Sequence, residues 1–293
     1  MHEIYYTDRS FNLELAAEYS LSVQANLSGF TYTVCDNNSN LIVLFKRHRF
    51  DQVILLSDLT KNISEIFEKD STLGLSYSRI RFLGYSRQTT LIPEAYFEEE
   101  QNRKYLAFND AGEPGGRVFS NLISPPGIYN VFSLPDELVS QITLFFKKVE
   151  FLSQTTTFLR HVTKDMKTSV NSSVYVGLNP EFFDIACTGH GKLLLYNTFQ
   201  YANETDLLYF ILFVYKCMHF EPEKVPLVIS GELSSKLSYL DILRQYFAQT
   251  ICDDESAAPM LASGLKQLNV SRFLNLLNVN MCESSVENTE EKR

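Results

Sequence analysis

Two periodicities alternate along this chain, and the alternation happens twice. From Tyr19, YSLSVQANL reads as a strand, Ser28-Gly29 as a turn and FTYTVCD as a second strand of alternating character. Asn37-Asn38-Ser39-Asn40 is turn chemistry, and LIVLFK is a third strand. The period then changes. FDQVILLSDLTKNISEIFEK carries Val53, Leu56, Leu59, Ile63, Ile66 and Phe67 at helical spacing, and SRIRFLGY follows as a fourth strand. PEAYFEEEQNRKYLAF predicts a helix, with Pro93 at its start and acids in its first turns. NDAGEPGGRVFSNLISPPG predicts a loop, with Gly112 to Gly116 as a flexible surface turn, and IYNVFSL a short strand. A further helix starts at Pro135-Asp136-Glu137 and ends at Lys147-Lys148, both ends matching the helix dipole.

SQTTTFLRHVTKDMK predicts a connecting helix capped by Ser153. The pattern then restarts. SSVYVGLN, FFDIACT and KLLLYNTF read as three strands, separated by Pro180-Glu181 and Gly189-His190-Gly191. TDLLYFILFVYKCMHF is a helix apolar almost all round, which predicts burial. VPLVISGE is a fourth strand, LSYLDILRQYFAQT a helix, and RFLNLLNVNMCE the last element. Setting Phe30 on Phe183 gives an offset of 153 residues, and Val34 then falls on Cys187. Each half reads βββαβα, a repeat far longer than a solenoid period and so a duplicated domain. The expected architecture is α/β: two lobes with mixed sheets, residues 1–150 and 151–283, then a disordered polar tail over 284–293.

Composition narrows the function classes. With 45% hydrophobic and 21% charged residues, each half can bury a core. A net charge of −9 argues against nucleic acid or anionic lipid as partner, because phosphate binding needs a basic face. The one basic cluster, Lys46 to Arg49, reads as a solvated strand end. The five cysteines form no CxxC, and four sit among apolar neighbours, which suits buried free thiols in a reducing compartment. MHEIYYTDRSFN has no basic segment followed by an apolar run, so no signal peptide is expected, and the most apolar run, Leu207 to Tyr215, is too short to span a bilayer. The expected location is the cytoplasm.

Seven phrases carry a resemblance: LSVQANLSGFTY, TLIPEAYFEEEQNRKYLAFN, YNVFSLPDEL, FFDIACTGHGKLLLYNTFQY, DLLYFILFVY, PLVISGEL and FLNLLNVNMCE. Together they resemble an uncharacterised bacterial family, a domain of unknown function, of the actin-like ATPase superfamily. That resemblance implies two ribonuclease H-like lobes and no assigned activity. It also implies two phosphate loops, each with Asp-x-Gly between the first two strands of a lobe, where the acid positions Mg²⁺ or water and glycine lets backbone N–H groups approach phosphate.

Here the first loop reads Gln24 to Gly29, with Asn26 and no carboxylate. The second reads Gly177 to Glu181, with Asn179, and Pro180 removes an N–H. Ser230-Gly231 has the form of the superfamily's adenosine loop, and also that of a plain turn. A degenerate nucleotide cleft would therefore be sought at Gln24, Asn26, Gly29, Asn179, Ser230 and Gly231. No catalytic residue, metal ligand or resident cofactor is expected, ATP with Mg²⁺ being the group such a fold would take. Asp36 and Asp184 do not make a nuclease cluster, and His190 between two glycines reads as a turn residue. No P-loop, HExxH, GxSxG or GxGxxG occurs. The expected function is a non-catalytic protein-interaction or assembly module. The alternative is a divergent ATPase or kinase closing its lobes on a nucleotide.

Overall fold

The computed structural model describes residues 2–50, 55–109, 114–164, 166, 171–231, 237–254 and 260–279. The chain divides into two compact units. The first comprises Met1–Thr157, joined by the described parts of Ala258–Leu268 and of Leu276–Arg293; the second comprises Phe158–Ala257 and Asn269–Asn275.

In the first unit, β1 (His2–Thr7), β2 (Tyr19–Asn26), β3 (Gly29–Asp36) and β4 (Leu41–Arg49) lead into α1 (Leu56–Lys69) and β5 (Arg79–Gly84). Then come β6 (Thr89–Pro93), α2 (Asn102–Asn109), β7 (Arg117–Ile123), β8 (Ile128–Leu134), α3 (Asp136–Phe145), β9 (Glu150–Ser153) and α4 (Gln154–Thr163), within which the unit boundary falls. The main sheet runs β1-β4-β3-β2-β5-β9. β2 lies at its centre, antiparallel to β3 and parallel to β5, and is buried along its whole length. α1 turns Leu59, Ile63 and Ile66 inward, four and three residues apart, so one stripe of the helix is buried. Its Phe67 stacks on Phe145 of α3 at 3.9 Å and meets Phe30 edge-on.

A separate antiparallel sheet, β6-β8-β7, is inserted between β5 and α3. A buried polar network holds it to the start of α4. Asn130 of β8 donates from Nδ2 to Ser153 Oγ at 2.6 Å and Thr156 Oγ1 at 2.9 Å, and Thr156 donates to Asn121 Oδ1 at 2.9 Å. Ser153 Oγ also accepts the Thr156 N–H, so it caps α4 as expected.

The second unit contains β10 (Ser173–Leu178), β11 (Phe182–Gly189), β12 (Lys192–Gln200), α5 (Glu204–Cys217), β13 (Leu227–Gly231), α6 (Leu237–Tyr246), β14 (Thr250–Cys252) and the start of α7 (Val270–Leu277). Its sheet runs β12-β11-β10-β13-β14, the same order as β4-β3-β2-β5-β9. The registers agree as well. Leu21 faces Val34 and Ala25 faces Phe30; at an offset of 153, Val174 faces Cys187 and Leu178 faces Phe183. Both second hairpins carry an irregularity at the matching place, after Val34 and after Cys187. The core joins Val176, Phe183 and Ile185 to Leu207, Ile211 and Tyr215 of α5.

Several elements differ from expectation. The segment read as one helix from Pro93 helps complete β6, whose Pro93 pairs with Ile128, and only Asn102–Asn109 is α-helical. Stacking of Phe97 on Tyr129 at 3.7 Å and the Tyr105 hydroxyl, bonded to Tyr96 O and the Glu98 N–H, pin the intervening turns. Residues 117–123, expected in a loop, form β7 because they pair with β8. The helix expected to reach Lys148 stops at Phe145, and β9 follows. Gly115 gives its N–H to Gln88, and Gly116 lies so close to Leu134 that a Cβ would fall 2.1 Å from its carbonyl oxygen; Gly112 and Glu113 lie outside the described residues. Val53, Cys282 and the tail over 284–293 lie outside them too. No described helix is long and apolar enough to cross a membrane.

The basic cluster also differs. β1 pairs along β4 and covers it, so Arg47 and His48 are buried rather than solvated, and Lys46 bonds Glu3 at 2.6 Å and Asp70 at 3.0 Å. Beyond β1, the Asp8 N–H donates to Val43 O, and the returning segment adds Ala262 N–H to Ile42 O. Backbone N–H groups of Ser10 and Gly264, with the hydroxyls of Ser10 and Ser263, hold the Asp8 carboxyl well below the usual range.

Candidate functional site

The six positions taken from the resemblance fall into two sets of three, one per unit. In the first unit β2 and β5 run parallel, and Gln24 and Asn26 end β2 while Gly29 opens β3 opposite Asn26. The loop between them is tight. Asn26 Oδ1 accepts the Ser28 N–H at 2.9 Å and the Ser28 hydroxyl at 2.8 Å, so its acceptor closes its own turn. Gly29 has no room for a side chain, because a Cβ there would lie 2.7 Å from His48 O on β4.

In the second unit β10 and β13 run parallel, with Gly177 beside Ser230 and Leu178 beside Gly231. Asn179, Ser230 and Gly231 therefore share one sheet end, and Asn179 and Ser230 are buried. The Asn179 N–H donates to Phe182 O at 2.9 Å, and its carbonyl accepts the Tyr201 hydroxyl at 2.7 Å. Its side-chain Nδ2 reaches Asp184 Oδ2 at 3.1 Å. Gly231 has φ +101°, and a Cβ would stand 2.1 Å from Leu178 O. Glycine is needed there for a close approach of backbones.

Sequence reasoning set Asp184 aside. It is fully buried on β11 opposite Thr198, and accepts from Asn179, from the Tyr196 hydroxyl at 2.7 Å and from Thr198 Oγ1 at 3.0 Å. The available signal was an acid inside the apolar run FFDIACT, three residues after Glu181, with hydroxyls at alternate positions of the neighbouring strand. Asp36, by contrast, accepts from Asn38 and Ser39 in an exposed turn. His161 of α4 meets Asp253, just after β14, at 2.7 Å, and the Asp253 N–H donates to Ile229 O on β13. His190 adopts φ +52° in the β11–β12 turn, as Asn40 does at +56° in the β3–β4 turn. Among the described residues no three His, Cys, Asp or Glu side chains converge as metal ligands. Cys187 is buried, which pushes its thiol up to about 12, while Cys217 is exposed on α5.

Comparisons with known proteins agree with this architecture. A protein from Bacteroides thetaiotaomicron with an actin-like ATPase fold and unknown function superposes with TM-score 0.79 at 21% identity, over 93% of this chain and 99% of that one. The PilM–PilN type IV pilus biogenesis complex contributes a chain that superposes with TM-score 0.63 at 9% identity, over 91% of this chain and 98% of its own. No curated protein matches. The family described as protein of unknown function (DUF3822) matches residues 8–250. With that match over most of its length, and with two units of one strand order, the chain belongs to this family and has the actin-like ATPase fold.

Proposed function

We propose that this chain is a non-catalytic protein of the actin-like ATPase fold that works as a protein-interaction or assembly module, built from one duplicated βββαβα unit. The carrying observation is how both loops spend their polar groups. Asn26 stands where an acid would be sought and uses its acceptor on Ser28. Asn179 uses its N–H, its carbonyl and its Nδ2 on Phe182, Tyr201 and Asp184. Pro180 supplies no N–H, and Gly231 answers to the Leu178 backbone. These residues do not fit a Mg²⁺-nucleotide, which needs a carboxylate and free N–H groups aimed at phosphate oxygens. The matching registers and bulges support the duplication, since two independent hairpins have no reason to share an irregularity.

The PilM–PilN type IV pilus biogenesis complex contains a chain of this fold, which supports a protein as the partner class. A reducing cytoplasmic setting suits the buried thiols of Cys35 and Cys187. Thermal melting with ATP and Mg²⁺ tests the reading. A ligand at a hundredfold its dissociation constant would stabilise the native state by about 2.7 kcal/mol. The expected result is an unmoved midpoint at millimolar ATP. A reproducible rise would overturn the non-catalytic reading in favour of a nucleotide-binding protein.

A further inference from the structure

The two sheets share a strand order, yet they end differently beside β4 and β12. Tyr32 faces Lys46, and Ile185 faces Asn197; Val34 faces Leu44, and Cys187 faces Leu195. β4 and β12 are therefore equivalent residue by residue, with Val43 and Leu194 as the extra residues at the two bulges. The outer edge of β4 is filled by β1 as an antiparallel strand, with Asp8 bonded to Val43 O. β12 is the last strand of its sheet, and no described strand pairs with its outer edge. The side chains follow suit: Val43 is 2% exposed and Leu194 40% exposed.

The neighbouring helix extends this surface. Phe199 of β12 stacks on Phe210 of α5 at 4.7 Å, which sets α5 over the edge strand. Tyr209 and Phe213 of the same helix are 61% and 47% exposed. Unpaired strand edges flanked by exposed apolar side chains are templates for strand addition.

We propose that two copies of this chain join at this edge, β12 against β12, antiparallel across a twofold axis. Charge favours a second copy as the occupant. The chain carries −9 and repels itself, but β12 contains no acid, and α5 is uncharged from Leu207 to Tyr215. Lys192, the one charged residue of β12, sits at its start, so a twofold sets it against the uncharged far end of the partner strand, not against itself. The size also suffices. Nine residues give an edge of about 30 Å, and strand plus flanking helix about 20 Å of width, so about 600 Å² per copy is covered, near the lower limit for a specific interface.

This contact is separate from the functional reading above, because ATP binding and dimerisation are read by different experiments. The test is molar mass by light scattering on the full chain from about 1 to about 100 μM, where an interface of this size would show micromolar association. The expected result is a concentration-dependent dimer, weakened tenfold or more by Leu194→Lys and separately by Phe213→Glu, with circular dichroism unchanged. Phe108→Glu, at a site 91% exposed in the first unit, should leave it intact. A monomer throughout overturns the proposal. So does a dimer that both edge variants leave intact, or one that Phe108→Glu dissolves.

Discussion

Replacing Asp70 tests the physical account of the first unit. Asp70 Oδ2 accepts the Tyr32 hydroxyl at 2.6 Å and lies 3.0 Å from Lys46 Nζ, while Oδ1 accepts the Thr72 N–H at 3.1 Å. His48 Nε2 stands 3.8 Å away, beyond hydrogen-bonding distance. Burial acts to raise this carboxyl, but the neighbouring His48, Tyr32 and Lys46 outweigh it and hold it well below the usual carboxylate range. Burial, and then Asp70 itself, raise the Tyr32 phenol.

Asp70→Asn keeps an acceptor for the Thr72 N–H but puts an amide NH₂ where Oδ2 stood, so the Tyr32 hydroxyl must turn to accept and Lys46 loses the opposite charge. Lys46 keeps Glu3, so the loss should be about 1–2 kcal/mol. Asp70→Ala also strands the Tyr32 hydroxyl inside the core, and should cost about 3–4 kcal/mol. In a cycle with Tyr32→Phe, the two sites should couple by about 1–2 kcal/mol, because they share one hydrogen bond. The sign with pH follows from the lowered folded-state value. The carboxylate contributes fully above its unfolded pKa of about 3.9, and that contribution drains away as pH falls through that value toward the folded one. Urea unfolding followed by far-ultraviolet circular dichroism at pH 7 and near pH 3 reads both effects. The gap between wild type and Asp70→Asn should narrow on acidification. A gap that stays constant or widens would refute the assignment of a charged, donor-stabilised Asp70.

Two further substitutions probe the close contacts. Gly231→Ala forces a Cβ into the Leu178 backbone at positive φ, so it should cost at least about 3 kcal/mol, read as a lowered urea midpoint; an unchanged midpoint would mean the glycine serves something other than packing. Asn130→Ala leaves the buried hydroxyls of Ser153 and Thr156 without their shared donor and should cost about 3 kcal/mol, with faster hydrogen exchange in β7 and β8 as the local signature.

The elements legible in advance were those whose stability is local. The β2–β3 and β10–β11 hairpins announce themselves through alternating apolar residues and turn chemistry, and α1 and α5 through their apolar spacing. β1, β6, β9 and β14 did not, because each exists only by pairing with a strand elsewhere in the chain, and β7 was hidden by the Gly- and Pro-rich residues on either side of it. The site shows the same division. That asparagine, and no acid, stands at positions 26 and 179 is plain from the residues. That their amides are spent on Ser28 and Asp184 depends on distances no spacing reveals.

The 153-residue offset is read from the order of residues alone, and the two hairpins show identical registers at that offset. Tertiary structure decided what covers the edge of each sheet. In the first unit β1 and residues 261–265, from near opposite ends of the chain, close the edge of β4; in the second no described strand closes β12. Sequence spacing records which face of a strand is apolar. Which segment completes its backbone hydrogen bonds is settled by whatever chain the fold brings alongside, and backbone groups are the same in every residue but proline.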